Sequence, residues 1–322
     1  MKILVTGGAG YVGSHAARTL ARRGHRVVLY DNLSTGHAAL AQGFPLIRAE
    51  LADVALLRQA LDGVDLVMHF AAHAYVGESV LNPRKYFQNN VQDALVMLNT
   101  VLDCGIRSFV FSSTCATYGI PAQIPISEDA PQNPVNPYGD TKLFFERALN
   151  AYSAYGLRSV LLRYFNAAGA DESSQLGELH EPETHLIPLA LDVAAGRRDH
   201  LDVFGNDYPT PDGTCIRDYI HVNDLAEAHL LAAEHLSSGG SSLALNLGTG
   251  QGHSVKEVIS TVERLTGKAV RHEIKPRRPG DPPTLVADPG RAQKLLRWKA
   301  TRSFDDIIRS GWSWTTRSAA KQ

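Results

Sequence analysis

Gly7, Gly10 and Gly13, spaced GxxGxxG between an apolar run and a helix-like stretch, constrain the fold of this chain more than any other feature. The run Lys2-Ile3-Leu4-Val5-Thr6 has strand length and Val12 to Arg23 reads as a helix, so the order is strand, tight turn, helix. Each glycine has its own physical reason: Gly7 lets the chain turn, Gly10 lets the backbone approach a pyrophosphate, and Gly13 lets the helix close on the strand. The diphosphate would rest on the helix N-terminus, where free N–H groups favour an anion. A second strand, Arg26-Val27-Val28-Leu29-Tyr30, ends at Asp31. A carboxylate there accepts hydrogen bonds from an adenosine ribose and repels a 2′-phosphate, so the cofactor expected is NAD.

Further along, the strand candidates Leu46–Leu51, Leu66–Ala72, Ser108–Ser112 and Ser159–Phe165 alternate with helical stretches at Ala52–Leu61, Pro83–Cys104 and Pro137–Tyr155. This alternation predicts an α/β fold, a doubly wound parallel sheet of Rossmann-like type with ligands at the carboxyl ends of its strands. Thr6, Asp31, Phe70, Thr114 and Asn166 fall at or just beyond those ends. After Ala168 the regularity weakens, and the long connections Gly169–Thr184 and Phe204–Arg217 suggest binding loops. The division expected is an NAD-binding domain over 1–168 and a smaller C-terminal α/β domain over 169–322, mainly for substrate, with some segments returning to the first. Thr315–Gln322 is polar enough to fray.

With 32 basic and 33 acidic residues among 322, the charge balance offers nothing for nucleic acid or an anionic membrane, and a small-molecule partner is expected. Cys104, Cys115 and Cys215 form no CxxC pair, which fits a reducing cytoplasm. The N-terminus reads directly into the first strand without a leader pattern, and no apolar run reaches membrane-span length. His69 and His73 are four apart, but His69 sits in a strand candidate, where that spacing does not converge on a metal; none is expected.

The chemical centre is Tyr138-Gly139-Asp140-Thr141-Lys142. Asn136-Pro137 supplies a helix start, a capping residue followed by proline, so Tyr138 falls in the first turn with Lys142 on the same face. A phenol titrates near ~10, so a tyrosine base at neutral pH needs positive charge nearby, from Lys142 or an oxidised nicotinamide. The strand Phe109-Val110-Phe111 ends in Ser112-Ser113-Thr114, whose hydroxyls can hold a reacting alcohol or ketone oxygen. Thr114, Tyr138 and Lys142 behind a dinucleotide turn make a hydride-transfer site.

With these features stand His69-Phe70-Ala71-Ala72, Val76-Gly77-Glu78-Ser79, Leu162-Arg163-Tyr164-Phe165-Asn166, Arg217-Asp218-Tyr219-Ile220-His221-Val222 and Pro276-Arg277-Arg278-Pro279-Gly280-Asp281. In order and spacing the chain resembles the extended short-chain dehydrogenase/reductases, and within them the UDP-glucose 4-epimerase family, over nearly its whole length. The resemblance implies that Tyr138 is the catalytic base and acid, that Lys142 lowers its pKa and binds the nicotinamide ribose, and that Thr114 holds the sugar oxygen. It implies NAD contacts from Gly7, Gly10, Tyr11, Val12, Gly13, Asp31, Asn32, Leu33, Ser34, Thr35, Gly36, Glu50, Leu51, Phe70, Ala71, Ala72, Asn89 and Phe165. It places Asn166, His185, Leu186, Arg217, Tyr219, Arg278, Asp281 and Leu285 on the UDP-sugar. The activity implied is epimerisation at carbon 4 through a 4-keto sugar, with retained NAD and a homodimer; the Phe87–Cys104 and Thr141–Tyr155 helices are the candidates to pair across a two-fold axis.

Sugar dehydratases of that superfamily place Asp-Glu after the catalytic Thr; here Cys115 and Ala116 follow, which leaves simple epimerisation. Glu50 stands where many relatives have Asp, and Ala74 where some have Lys. Leu285 replaces a Tyr that can exclude N-acetylated sugars, so UDP-GlcNAc/UDP-GalNAc remains open, and His73-Ala74-Tyr75 also resembles UDP-arabinose/UDP-xylose 4-epimerases. A different class of function is an NAD-binding regulatory module with the fold and no chemistry; retention of both Tyr138 and Lys142 favours the enzyme.

Overall fold

The computed structural model describes residues 1–278 and 280–319. At its centre lies a seven-stranded parallel sheet in the order Leu243–Leu247, Arg158–Tyr164, Ser108–Thr114, Leu66–His69, Lys2–Thr6, Arg26–Tyr30, Leu46–Ile47. The chain builds outward from Lys2–Thr6 to one edge, then crosses over and builds to the other. This is the doubly wound arrangement expected from the βα alternation, and it opens a crevice where the carboxyl ends of Lys2–Thr6 and Leu66–His69 diverge. The edge strand Leu243–Leu247 comes from late in the chain and pairs with Arg158–Tyr164.

The inner strands are apolar and buried, as a sheet covered on both faces requires. On one face Ala16, Ala17 and Leu20 of the helix Tyr11–Arg22 pack with Leu225, Ala228 and Ala232 of Val222–Ser237 against Ile3, Val5 and Leu162. On the other, Leu57, Met97, Leu98, Phe145 and Leu149 from three helices cover Leu4, Val67, Phe109 and Phe111. Beyond the carboxyl ends sits a smaller assembly of short strands. Its helices Leu186–Ala194, Val255–Thr266 and Phe304–Ala319 share a separate apolar core with Val203 and Tyr219.

Several sequence expectations change at their ends. The candidate Leu66–Ala72 stops as a strand at His69 because the Gly7 turn presses on the next residues; a Cβ on Gly7 would lie 2.4 Å from the Ala71 nitrogen. Leu46–Leu51 shortens to a two-residue edge strand. The single stretch Pro83–Cys104 is three pieces, helices Pro83–Phe87 and Ala94–Asp103 joined by a π-helical segment, Gln88–Asp93. The wide turn brings Asn90 inward, where its side chain bonds the His73 backbone at both N–H and C=O and the Thr141 hydroxyl. At the C-terminus the last helix takes in Thr315, which is buried, and runs to Ala319; Ala320–Gln322, like Pro279, lie outside the described residues. Among the described residues no helix is long and apolar enough to cross a membrane.

A buried ion pair ties the sheet to the helix Pro137–Ala151. Arg163 donates to Glu146 through Nη2 at 2.7 Å and Nε at 3.0 Å, and both side chains are almost wholly buried. Ser113 and Gln132 donate to the same carboxylate, and Arg163 also reaches the Tyr118 hydroxyl. Arg163→Met, which leaves the buried Glu146 carboxylate with its hydroxyl and amide donors and without its guanidinium, is expected to lower unfolding free energy by roughly 3–5 kcal/mol, with Glu146→Gln in the same chain recovering a large part. Urea unfolding curves of the three proteins check this.

Candidate active site

The nucleotide cradle follows from close backbone approach. Gly7 has φ +71°, and a Cβ on Gly13 would fall 2.2 Å from the Gly7 carbonyl oxygen, so a side chain at either position would force the turn open. The helix Tyr11–Arg22 begins at Gly10 with no side-chain cap, leaving its first N–H groups directed at the crevice mouth. Asp31 is anchored, accepting from the Ala9 N–H at 2.9 Å and the Leu33 N–H at 2.8 Å. Burial raises its pKa, and those two bonds oppose the rise. Gly36 closes over it, since a Cβ there would sit 2.9 Å from the carboxylate. The loop continues through Asn32, which donates to Glu50 at 2.8 Å, to Ser34 and Thr35. Leu51 is buried beneath this edge of the sheet.

Across the crevice, Phe70 packs on His229, Ala71 joins the opposite core and Ala72 follows, while Asn89 donates to Asn90 at 2.8 Å. Tyr11, the first helical residue after Gly10 and followed by Val12, donates its hydroxyl to the Gly169 carbonyl at 2.6 Å, joining the cradle to the smaller assembly. A turn that admits no Cβ, an uncapped helix start and a fixed carboxylate at the second strand together fit the diphosphate and adenosine ribose of NAD.

The chemical residues meet at the ends of Ser108–Thr114 and Pro137–Ala151. Asn136 caps that helix by accepting from the Gly139 N–H at 2.9 Å, with Pro137 in the first turn, as the Asn-Pro start predicts. Gly139 is needed for contact: a Cβ would lie 2.7 Å from the Ala116 carbonyl oxygen, so only glycine lets the helix seat against the turn that follows Thr114. This contact brings the Thr114 and Tyr138 side chains together. Burial pushes the Tyr138 phenol well above its ordinary value, and interaction with the Thr114 hydroxyl partly offsets it.

One turn on, Lys142 Nζ donates to the Ser112 carbonyl at 2.8 Å and stands 5.9 Å from the centre of the Tyr138 ring. Burial lowers its ammonium to about 7, with Glu146 acting in the opposite direction. For the polypeptide by itself, burial therefore outweighs any lowering of the Tyr138 pKa by Lys142. His69 lies beneath, bonded to the Thr6 hydroxyl at 2.6 Å and stacked on Phe111; burial lowers it to about 3, so it is neutral.

The residues assigned to the sugar side occupy the facing wall. Phe165 packs with Cys115, Tyr118 and Leu285 next to Thr114. Asn166 pairs in register with Tyr219, whose ring is buried in the core of the smaller assembly. Arg217 lies opposite Leu285 and bonds Asp281 at 2.5 Å. Arg278 stacks on Phe204 at 4.0 Å, while Arg277 stacks on Tyr208 and pairs with Asp207, so neither is a freely solvated cation. His185 stands at the N-cap position of the helix that begins at Leu186, with its side chain turned to Glu178 and Glu183 and not to the helix N–H groups.

Sequence reasoning missed several organising residues. Asp218 is fully buried and accepts from the backbones of Thr249, Gly250 and Ala287, gathering three loops; within Arg-Asp-Tyr it looked like part of a motif. Glu146 continues the spacing Tyr138, Lys142, Glu146, a signal legible in the helix periodicity. His185 is joined by Glu178, His180 and Glu183, with ligating atoms all within 4.8 Å of one another. The two carboxylates raise His180 to about 9 and His185 to about 10, against burial.

Comparison with known proteins adds an independent line. Residues 3–248 match the model of the NAD dependent epimerase/dehydratase family. A UDP-glucose 4-epimerase of Rhizobium leguminosarum bv. trifolii is 50% identical over 319 residues, covering 98% of each chain. The crystal structure of UDP-glucose 4-epimerase from Brucella ovis in complex with NAD is 51% identical, with a TM-score of 0.94 and 97% of each chain covered. One from Stenotrophomonas maltophila, with bound NAD and formylated UDP-arabinopyranose, is 40% identical, with a TM-score of 0.97 over 100% of both chains.

Burial of Lys142 has a consequence for stability. Its ammonium, normally near 10.5, is held at about 7 in the fold, so the unfolded chain binds the proton more tightly and stability rises with pH between those values. Below about 7 the full penalty applies, roughly 4–5 kcal/mol. In cofactor-free protein the unfolding free energy of wild type minus that of Lys142→Met should therefore climb from pH 7 to 10; a flat difference would show that the amine stays charged.

Proposed function

Because the chain belongs to the NAD dependent epimerase/dehydratase family, we propose that it catalyses NAD-dependent 4-epimerisation of a UDP-sugar, with UDP-glucose and UDP-galactose as the pair. The observation that carries this reading is Thr114, Tyr138 and Lys142 gathered behind the glycine turn in a chain half identical, end to end, to relatives named UDP-glucose 4-epimerase. Bound NAD supplies the hydride acceptor and donor for carbon 4 and, when oxidised, a positive charge that favours a phenolate.

Tyr138 takes the proton of the 4-hydroxyl as the carbonyl forms and returns it when the alcohol is remade. Thr114 donates to that oxygen throughout, and Lys142, fixed on the Ser112 carbonyl, holds the ribose and adds charge beside the ring. The 4-keto sugar turns within the pocket between the two half-reactions, so the product differs only at carbon 4. Elimination has no acid/base pair: Ala116 is inert, and burial pushes the Cys115 thiol up to about 12.

Residues 169–322 serve mainly the UDP-sugar. Arg217 and Arg278 are its diphosphate ligands, since guanidinium offers paired donors to phosphate oxygens. Leu285, packed beside Cys115 and Phe165, leaves more room near carbon 2 than a tyrosine would, which supports N-acetylated sugars as secondary substrates. Among the described residues Cys104, Cys115 and Cys215 are all free thiols, which supports a reducing cytoplasm as the site of action.

Purified protein incubated with UDP-galactose and no added cofactor is expected to yield UDP-glucose in proton NMR spectra. Tyr138→Phe should slow turnover by roughly 10²–10⁴-fold. Gly139→Ala, which displaces the helix from Ala116, should cost on the order of 10²-fold. Turnover of UDP-arabinose or UDP-GalNAc alone would move the assignment to those sugars, and no turnover of any despite bound NAD would sink the enzyme in favour of the regulatory module.

The proposal includes a homodimer. Phe87, Phe144 and Tyr155 are large apolar side chains exposed along the two helical regions expected to pair across a two-fold axis. Sedimentation velocity should give twice the chain mass, with Phe144→Glu sedimenting as a monomer at micromolar concentration; a monomeric wild type would end the dimer assignment.

A further inference from the structure

Within eight residues of the connection leading to Leu186, four ligating side chains spaced Glu-x-His-x2-Glu-x-His converge on one point. His180 and His185 both direct Nδ1 at the same oxygen of Glu178, at 3.0 and 2.8 Å. His185 Nδ1 is also 2.9 Å from Glu183 Oε1, and His180 Nδ1 is 3.5 Å from Glu183 Oε2. A tetrahedral ion with bonds of ~2.0–2.2 Å keeps its ligand atoms about 3.3–3.6 Å apart, and these four atoms, all within 4.8 Å of one another with paired distances of 2.8–3.5 Å, can reach that spacing by small side-chain shifts.

The cationic partners of the two carboxylates among the described residues are His180 and His185 themselves, whose protons a divalent ion would displace. The side chains of Glu178 and Glu183 are only 6% and 14% exposed, yet among the described residues neither pairs with a lysine or arginine. A second grouping, His200, Asp202 and Glu273, is different: Lys275 Nζ lies 2.6 Å from Glu273 and 3.7 Å from Asp202, and Glu273 is exposed. There an ammonium already supplies the charge.

We propose that Glu178, His180, Glu183 and His185 form a closed structural site for a divalent ion of the zinc class. Two imidazoles with two carboxylates suit Zn²⁺ better than the all-oxygen preference of Mg²⁺ or Ca²⁺, and four protein ligands leave no open position. The expectation of no metal rested on His69 and His73; this set lies in an irregular loop, where sequence spacing alone does not reveal convergence. The ion acts as a clamp. His180 stands edge-on to Tyr11 at 6.3 Å and to Tyr75 at 5.8 Å, the Glu178 carbonyl accepts from Trp314 Nε1 at 3.0 Å, and His185 directly precedes the next helix. Binding would thus lock the loop between the dinucleotide turn and the last helix, independently of which sugar the enzyme takes.

Full-length protein without a polyhistidine tag, dialysed and analysed by plasma mass spectrometry, should carry about one zinc per chain. Zinc-edge absorption should show imidazole and oxygen ligands and no sulfur. After chelation, added Co²⁺ should give the intense visible bands of a tetrahedral ion. His180→Asn and Glu183→Gln, neither assigned to NAD or sugar, should lose those bands and at least ten-fold of the bound metal while keeping wild-type circular dichroism; either variant suffices if the other fails to fold. Wild type with less than one-tenth equivalent of zinc and no tetrahedral Co²⁺ spectrum would overturn the proposal, leaving an ion-pair cluster. Bands that persist in a folded variant would overturn it too.

Discussion

The seating of the helix Pro137–Ala151 on the strand Ser108–Thr114 carries the rest of the site. One stripe of that helix, read every fourth residue, is Tyr138, Lys142 and Glu146, and each member meets a feature of the sheet. Tyr138 meets Thr114, Lys142 the Ser112 carbonyl, and Glu146 both Ser113 and Arg163. A polar stripe is an unusual thing to bury against a sheet, because each group must recover inside the protein the hydrogen bonds it gave up in water. It is retained here because Gly139 allows a close approach to the Ala116 backbone and the Glu146–Arg163 pair neutralises the far end.

Burial shapes the chemistry of that stripe. The same desolvation that raises the Tyr138 phenol lowers the Lys142 ammonium, so both groups are pushed toward their neutral forms and their proton affinities move apart. Such a pair is strained while it stands alone and responds strongly to any charge placed in the crevice. Beneath the lysine the Phe111 ring offers only a cation–π contact at 4.9 Å and His69 is neutral, so the charge is relieved weakly from that side. The doubly wound sheet places this pair at the same end as the glycine turn, which brings cofactor grip and proton transfer within one crevice.

Much of this was readable in advance, for identifiable reasons. The glycine turn, Asp31 and the Asn-Pro helix start each rest on a local backbone device, the positive φ of Gly7, the Leu33 N–H and the Gly139 N–H, so their sequence signals survive into the structure even though Ala71 and Ala9 complete two of them from afar. The helical period likewise put Lys142 on the face of Tyr138. Less legible was the stretch 83–104, where composition reads as one continuous helix and the π-helical segment depends on Asn90 finding His73 and Thr141. Asp218 was equally silent, since its three backbone donors come from loops far along the chain.

The sequence by itself determined the strand–turn–helix that opens the fold, the preference for NAD expressed by Asp31, and the spacing of tyrosine and lysine, because each depends on backbone geometry within a turn or two. Tertiary structure alone decided which residues share a pocket. It returned Leu243–Leu247 to the edge of the sheet, set Leu285 against Phe165, paired Glu146 with Arg163, and folded an irregular loop so that Glu178, His180, Glu183 and His185 face one point. Those contacts are settled by packing and desolvation between distant segments, where no periodicity in the chain records the partner.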